Sequence, residues 1–150
     1  MKRNLSIFTL LLILLSAHKT LSQVVISFPT ERAVFQRNNA NEADVYIGGY
    51  VTQPFQKIEV RLTPRVPGEG EQFPADGSWT TLDDQISAGQ FMGFVHLKGG
   101  WYQLEARGVS SGGTSAVTTL SRVGVGEVFV VAGQSNSTGG DSNPNGPGAA

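Results

Sequence analysis

Seven consecutive residues restrict the fold of this chain more than any others. Lys57-Ile58-Glu59-Val60-Arg61-Leu62-Thr63 alternates strictly between charged or polar and apolar side chains. Successive side chains of a strand point to opposite faces, so Ile58, Val60 and Leu62 share one face and Lys57, Glu59 and Arg61 the other. A helix would scatter both sets around its circumference. Tyr102, Leu104 and Ala106 alternate in the same way with Gln103, Glu105 and Arg107. Shorter runs repeat the pattern: Val24, Ile26 and Phe28, ended by Pro29, and Val45 and Ile47 alternating with Asp44 and Tyr46. Strands with one apolar and one wet face belong to antiparallel sheets. Turn chemistry stands between them at Gly48-Gly49, Pro67-Gly68, Asp76-Gly77, Gly99-Gly100 and Gly112-Gly113. Many short strands from Gln23 to about Arg122, with no amphipathic helix and no internal repeat, predict a mainly β fold. The expectation is a β-sandwich of immunoglobulin or fibronectin III kind. The Cys-Trp-Cys signature of true immunoglobulin domains is missing, which favours the fibronectin-like form.

Composition narrows the function classes. With 39% hydrophobic and 15% charged residues, the chain is too apolar for disorder and too weakly charged for a coiled coil or a solvated tail. A net charge of −1 lacks the basic footprint of a nucleic-acid-binding protein. The chain has no Cys, so disulfides and thiolate metal sites are excluded, and its two His residues are too few for a His-only zinc site. No metal and no cofactor is expected.

The first residues read as an address. Lys2 and Arg3 precede Leu5-Ser6-Ile7-Phe8-Thr9-Leu10-Leu11-Leu12-Ile13-Leu14-Leu15, a basic segment followed by an apolar run too short for a stable bilayer span. Small residues at Thr20 and Ser22 suit cleavage before Gln23, with Ala17 as a rival position. Residues 1–22 are therefore expected to be a signal peptide, leaving no membrane span after cleavage. The mature chain would keep 8 cations against 12 anions, a net charge of −4. The protein is expected to be exported, whether released, periplasmic or held at the cell surface.

The pattern changes at Val123, so the sandwich is expected to cover 23–123 and a different domain to begin within 124–150. Val128-Phe129-Val130-Val131-Ala132, after Glu127, is continuously apolar, as a strand buried on both faces would be. Gly133-Gln134-Ser135-Asn136-Ser137-Thr138-Gly139-Gly140 follows at once. A buried strand, a glycine and then a hydroxyl residue form the layout of a site at the carboxyl end of a sheet. A parallel strand needs a neighbour and a covering helix, and neither can be found after residue 132. The chain therefore reads as if a second domain opens here and is cut off.

Gly126-Glu127-Val128-Phe129-Val130-Val131-Ala132-Gly133-Gln134-Ser135-Asn136 resembles the first block of the sialate O-acetylesterase family, a carbohydrate-esterase branch of the SGNH hydrolases. Arg122-Val123-Gly124-Val125-Gly126 and Gly99-Gly100-Trp101-Tyr102 also resemble bacterial members that carry a sandwich domain first. The resemblance implies that the sandwich is followed by the first strand of a truncated α/β/α hydrolase domain, and that the substrate is an O-acetylated carbohydrate. It implies Ser135 as the nucleophile, with its own backbone N–H as an oxyanion donor. Gly133 would permit the tight turn, Gln134 would orient the loop where other branches keep an acid, and Asn136 would hold the loop or the substrate. The family's catalytic His, preceded by an Asp, lies near its C-terminus, so both are expected beyond residue 150. The 150-residue chain alone is expected to be inactive.

Each candidate has a rival. Ser135 and its polar neighbours also suit a helix N-cap. Ser137 stands where a lipase-type nucleophile elbow ends in Gly. Residues 133–140 lack the Lys and Ser/Thr pair of a phosphate loop. Asp141-Ser142-Asn143-Pro144-Asn145-Gly146 matches half a calcium loop, interrupted by Pro144, and reads as a polar turn. Asn136-Ser137-Thr138 is a formal glycosylation sequon. His96, between Val95 and Leu97, reads as a strand residue rather than a catalytic base, and His18 would leave with the signal peptide. Trp79, Trp101, Tyr50 and Tyr102 could line a sugar-stacking surface, although such aromatics more often serve cores and corners. The competing function is a non-catalytic, exported sandwich acting as a binding or adhesion module, with residues 127–132 as its last strand. Nothing in the residues indicates an oligomeric state.

Overall fold

The computed structural model describes residues 23–130, which form a β-sandwich without a helix. The strands are β1 (Val24–Phe28), β2 (Val34–Gln36), β3 (Glu42–Val51), β4 (Lys57–Pro64), β5 (Thr80–Asp83), β6 (Gln90–Lys98), β7 (Gly100–Ser110), β8 (Gly113–Thr114) and β9 (Thr118–Gly126). One sheet has the order β1-β3-β6; the other runs β2-β9-β7-β4-β5, with β8 paired to β7.

The alternation that predicted the fold also builds the core. Ile58, Val60 and Leu62 of β4 face inward at 0% exposure, as do Tyr102, Leu104 and Ala106 of β7. The two strands are antiparallel, and their register sets Leu62 opposite Leu104 and Val60 opposite Ala106. Val45, Ile47, Phe91, Val95 and Leu97 close the core from the smaller sheet. Full burial of side chains this size contributes roughly 1.5–3 kcal/mol each, which is how a chain without Cys holds two sheets together.

Tyr102 closes the corner between the sheets. Lys98 ends β6 in the smaller sheet, Gly99 turns, and β7 begins the crossing strand of the larger one. Across that turn the Tyr102 hydroxyl donates to the Lys98 carbonyl at 2.7 Å and accepts the Glu71 N–H at 3.2 Å. A tyrosine near the start of such a strand, bonded back to backbone just upstream, marks the corner of immunoglobulin-like sandwiches.

Four details depart from the sequence expectation. Gly48 and Gly49 form no turn but lie inside β3. A Cβ on Gly49 would fall on the Val25 carbonyl oxygen and 2.8 Å from Phe91 Cζ, so β1 and Phe91 can approach only a glycine there. Phe28 is 50% exposed rather than inward, because an irregularity between Ile26 and Phe28 shifts the β1–β3 register. The sandwich continues past 123: Val123 and Val125 are core residues of β9, which ends at Gly126. Finally, β2 runs parallel to β9. Arg37 N–H bonds the Gly126 carbonyl and Gly124 N–H the Ala33 carbonyl, both at 2.8 Å, and Arg32 N–H bonds the Arg122 carbonyl at 2.7 Å.

Candidate functional site

The described residues reach the threshold of the sequence-predicted site. Ser135, with Gly133, Gln134 and Asn136, lies outside them, as do the sequon, the Asp141–Gly146 turn and His18. What the structure shows is how the chain leaves the sandwich towards that block.

The exit is clamped from β2. Gly126 pairs with Gln36 across the parallel ladder, which brings the next two residues beside the Gln36 and Arg37 side chains. Gln36 Nε2 donates to Glu127 Oε2 at 2.9 Å, and Gln36 Oε1 accepts the Val128 N–H at 2.7 Å. Arg37 Nε donates to Glu127 Oε1 at 2.8 Å, while its Nη1 donates to Asn41 Oδ1 at 2.7 Å. The bond from Gln36, joined by that from Arg37, holds the Glu127 carboxyl below its ordinary pKa. Glu127, Val128, Phe129 and Val130 join no strand. Val128 is 49% exposed, Phe129 80% and Val130 90%. Val131 and Ala132, the remainder of the expected apolar strand, lie outside the described residues.

Beside this exit lies a cavity of about 440 Å³ lined by Val34, Arg37, Asn41, Glu69, Trp101, Glu127 and a glycine-rich floor that includes Gly124 and Gly126. Trp101 stands opposite Gly124 in the β7–β9 register. Its ring lies so close that a Cβ at Gly124 would come within 2.8 Å of Cζ3. The Arg122 guanidinium carbon is 5.7 Å from the Trp101 ring centroid.

The other aromatics serve separate ends. Tyr102 is buried at the corner. On the outer face of the larger sheet the guanidinium carbons of Arg107 and Arg61 lie over the Trp79 ring, 4.2 Å and 4.7 Å from its centroid. The same two arginines hold acids: Arg107 Nη2 bonds Glu59 at 2.7 Å and Arg61 Nε bonds Glu105 at 2.7 Å. Lys57 Nζ reaches the other oxygen of Glu59 at 2.7 Å. Burial raises the Glu59 pKa, but the bonds from Lys57 and Arg107 outweigh it, and the net shift is downward. Tyr50 stands on the smaller sheet with Tyr46, Phe94 and Met92, the last 78% exposed. The Tyr46 and Phe94 rings are 5.6 Å apart. The four aromatics singled out in the sequence therefore form no common surface.

His96 occupies β6 opposite Asp44 of β3. Its Nδ1 is 2.8 Å from Asp44 Oδ1 and its Nε2 3.1 Å from Glu42 Oε2. The bond to Asp44, then that to Glu42, raises the imidazole pKa. Both ring nitrogens face carboxylates, so the ring presents no free nitrogen to a serine hydroxyl, in keeping with the strand role read from the sequence. Among the described residues no cluster of His, Asp or Glu could hold a metal ion.

Sequence reasoning missed the cavity. Arg37, Asn41 and Glu69 lie in loops without a motif, and only the parallel β2–β9 pairing brings the first of them beside Trp101 and Glu127. No protein-family model matches the chain, and no curated protein matches it.

Proposed function

We propose that the chain belongs to an exported carbohydrate acetyl esterase, its sandwich domain carried ahead of a hydrolase layer that opens with the Gly126–Asn136 block. The observation that carries this reading is the exposure of Val128, Phe129 and Val130 directly after β9. Three consecutive apolar side chains left uncovered by the sandwich suit a strand stabilised by burial in another layer. The clamp of Gln36 and Arg37 on Glu127 and Val128 would aim that strand away from the sandwich.

In this reading Ser135 attacks the acetyl carbonyl of an O-acetylated sugar. A serine hydroxyl needs a hydrogen-bonded base to become a competent nucleophile, and a histidine further along the protein would supply it. The Ser135 N–H would stabilise the tetrahedral oxyanion, a donor of the kind that contributes about 10²–10³ in rate. Gly133 would let the backbone turn tightly behind it. Gln134 and Asn136 would hold the loop by hydrogen bonds, with no role as base.

The test is acetate release from O-acetylated sugars by the complete secreted protein and its Ser135→Ala variant. Loss of the nucleophile should cost about 10⁴–10⁶ in kcat at unchanged folding. Unchanged turnover in Ser135→Ala would reject Ser135 as the nucleophile, whereas no acetate release by the parent protein would leave a non-catalytic binding module in its place.

A further inference from the structure

We infer that the cavity at the β9 exit is a binding site for a neutral pyranose sugar, formed by the sandwich itself and independent of Ser135. Its volume of about 440 Å³ falls in the range of small-molecule sites, roughly 300–1,000 Å³. Apolar surface and polar rim are arranged for an amphipathic ligand. Trp101, whose ring lies against Gly124, and Val34 supply the apolar surface, and Gly126 beside them adds no side chain. A pyranose presents a face of C–H groups to such a ring, and hydroxyls around its edge.

The rim offers both donors and acceptors to such hydroxyls. Arg37 offers guanidinium donors, Asn41 an amide, and Glu69 and Glu127 carboxylate acceptors. Charge selects against acids. Glu127 already neutralises Arg37 at 2.8 Å, and Glu69 leaves the lining with an excess of one negative charge. A sugar carboxylate or phosphate would meet that excess, offset in part by Arg122 beside the Trp101 ring, whereas a neutral polyol would meet no charge penalty. The ion pair and the Arg37–Asn41 bond also hold the polar groups in place before any ligand arrives, which lowers the ordering cost of binding.

The chain has two tryptophans, Trp79 and Trp101, so two indole N–H signals separate this site from the rest of the molecule. The experiment is a ¹⁵N NMR titration of the full chain with N-acetylglucosamine, galactose and xylobiose, and with N-acetylneuraminic acid as the anionic counterpart. At least one neutral sugar should shift the Trp101 indole and the Gly124 and Gly126 amides saturably, leaving the Trp79 indole in place. The acid should bind at least tenfold more weakly. Trp101→Ala should abolish the shifts. Gly126→Leu is the second variant, because the nearest atom to a Cβ there is Val34 Cγ1 at 3.8 Å; it fills the groove while keeping Trp101, and should weaken binding at least tenfold. Three results would each overturn the inference: a still Trp101 signal with every neutral sugar up to tens of millimolar, tighter binding of the acid, or unchanged binding in folded Gly126→Leu.

Discussion

The Tyr102 hydroxyl reaches back to the Lys98 carbonyl at 2.7 Å, joining the start of β7 in one sheet to the last residue of β6 in the other. Tyr102 is fully buried, so no water replaces that bond once it is lost. Tyr102→Phe keeps the ring's packing and removes only the hydroxyl, leaving the Lys98 carbonyl and the Glu71 N–H without their partner. The expected loss is about 1–3 kcal/mol in chemical denaturation. A variant as stable as the parent would show the hydroxyl to be dispensable to the corner.

Gly48 and Gly49 are neighbours with opposite tolerance. A Cβ at Gly48 meets the Phe91 carbonyl oxygen at 3.4 Å, an ordinary contact, whereas one at Gly49 collides with the Val25 carbonyl and the Phe91 ring. Gly49→Ala should therefore cost about 1–3 kcal/mol or more through forced separation of β1 from β3. Gly48→Ala should stay within about 0.5 kcal/mol of the parent. Equal effects of the two substitutions on the melting temperature would contradict this geometry.

Glu59 is 8% exposed and is held by Lys57 and Arg107. Its folded pKa lies below 4.5, so its contribution to stability is present above pH 4.5 and disappears as pH falls through the lowered value. Glu59→Gln should cost about 1–3 kcal/mol at neutral pH and much less near pH 3. A stability difference that does not change between those pH values would refute the pairing.

His96 carries the opposite sign. Its folded pKa is raised above 6.5 by Asp44 and Glu42. Any stabilisation from the charged ring is therefore complete below pH 6.5 and lost as pH rises through the raised value. An NMR titration of the ring should place its midpoint above 6.5, and Asp44→Asn should move that midpoint down. A midpoint indifferent to Asp44→Asn would mean that the 2.8 Å contact does not persist in solution.

The reach of the sequence is clearest where one residue sets one orientation. Ile58, Val60 and Leu62 could be placed in the core from alternation alone, because the strand's period of two admits no other buried face. Gly48-Gly49 was open to misreading because paired glycines serve both tight turns and close strand approach, and only the neighbour Val25 distinguishes the two uses. The apparent change of pattern at Val123 has a similar origin. Gly124 and Gly126 interrupt the alternation of β9, yet Gly124 is where the Trp101 ring lies. Arg61 and Arg107 around Trp79, and Arg37 beside Glu127, depend on registers between distant strands that no local pattern encodes. Ser135 and its loop lie outside the described residues, and their assignment rests on the motif.

The parallel pairing of β2 with β9 also settles how this domain answers to tension. A pull that separates the start of β2 from the end of β9 drags two parallel strands in opposite directions along their own length. The bonds Arg32–Arg122, Ala33–Gly124 and Arg37–Gly126 are then loaded together, in shear, rather than opened one at a time. The chain leaves the sandwich at Gly126, at the end of this shear-loaded seam.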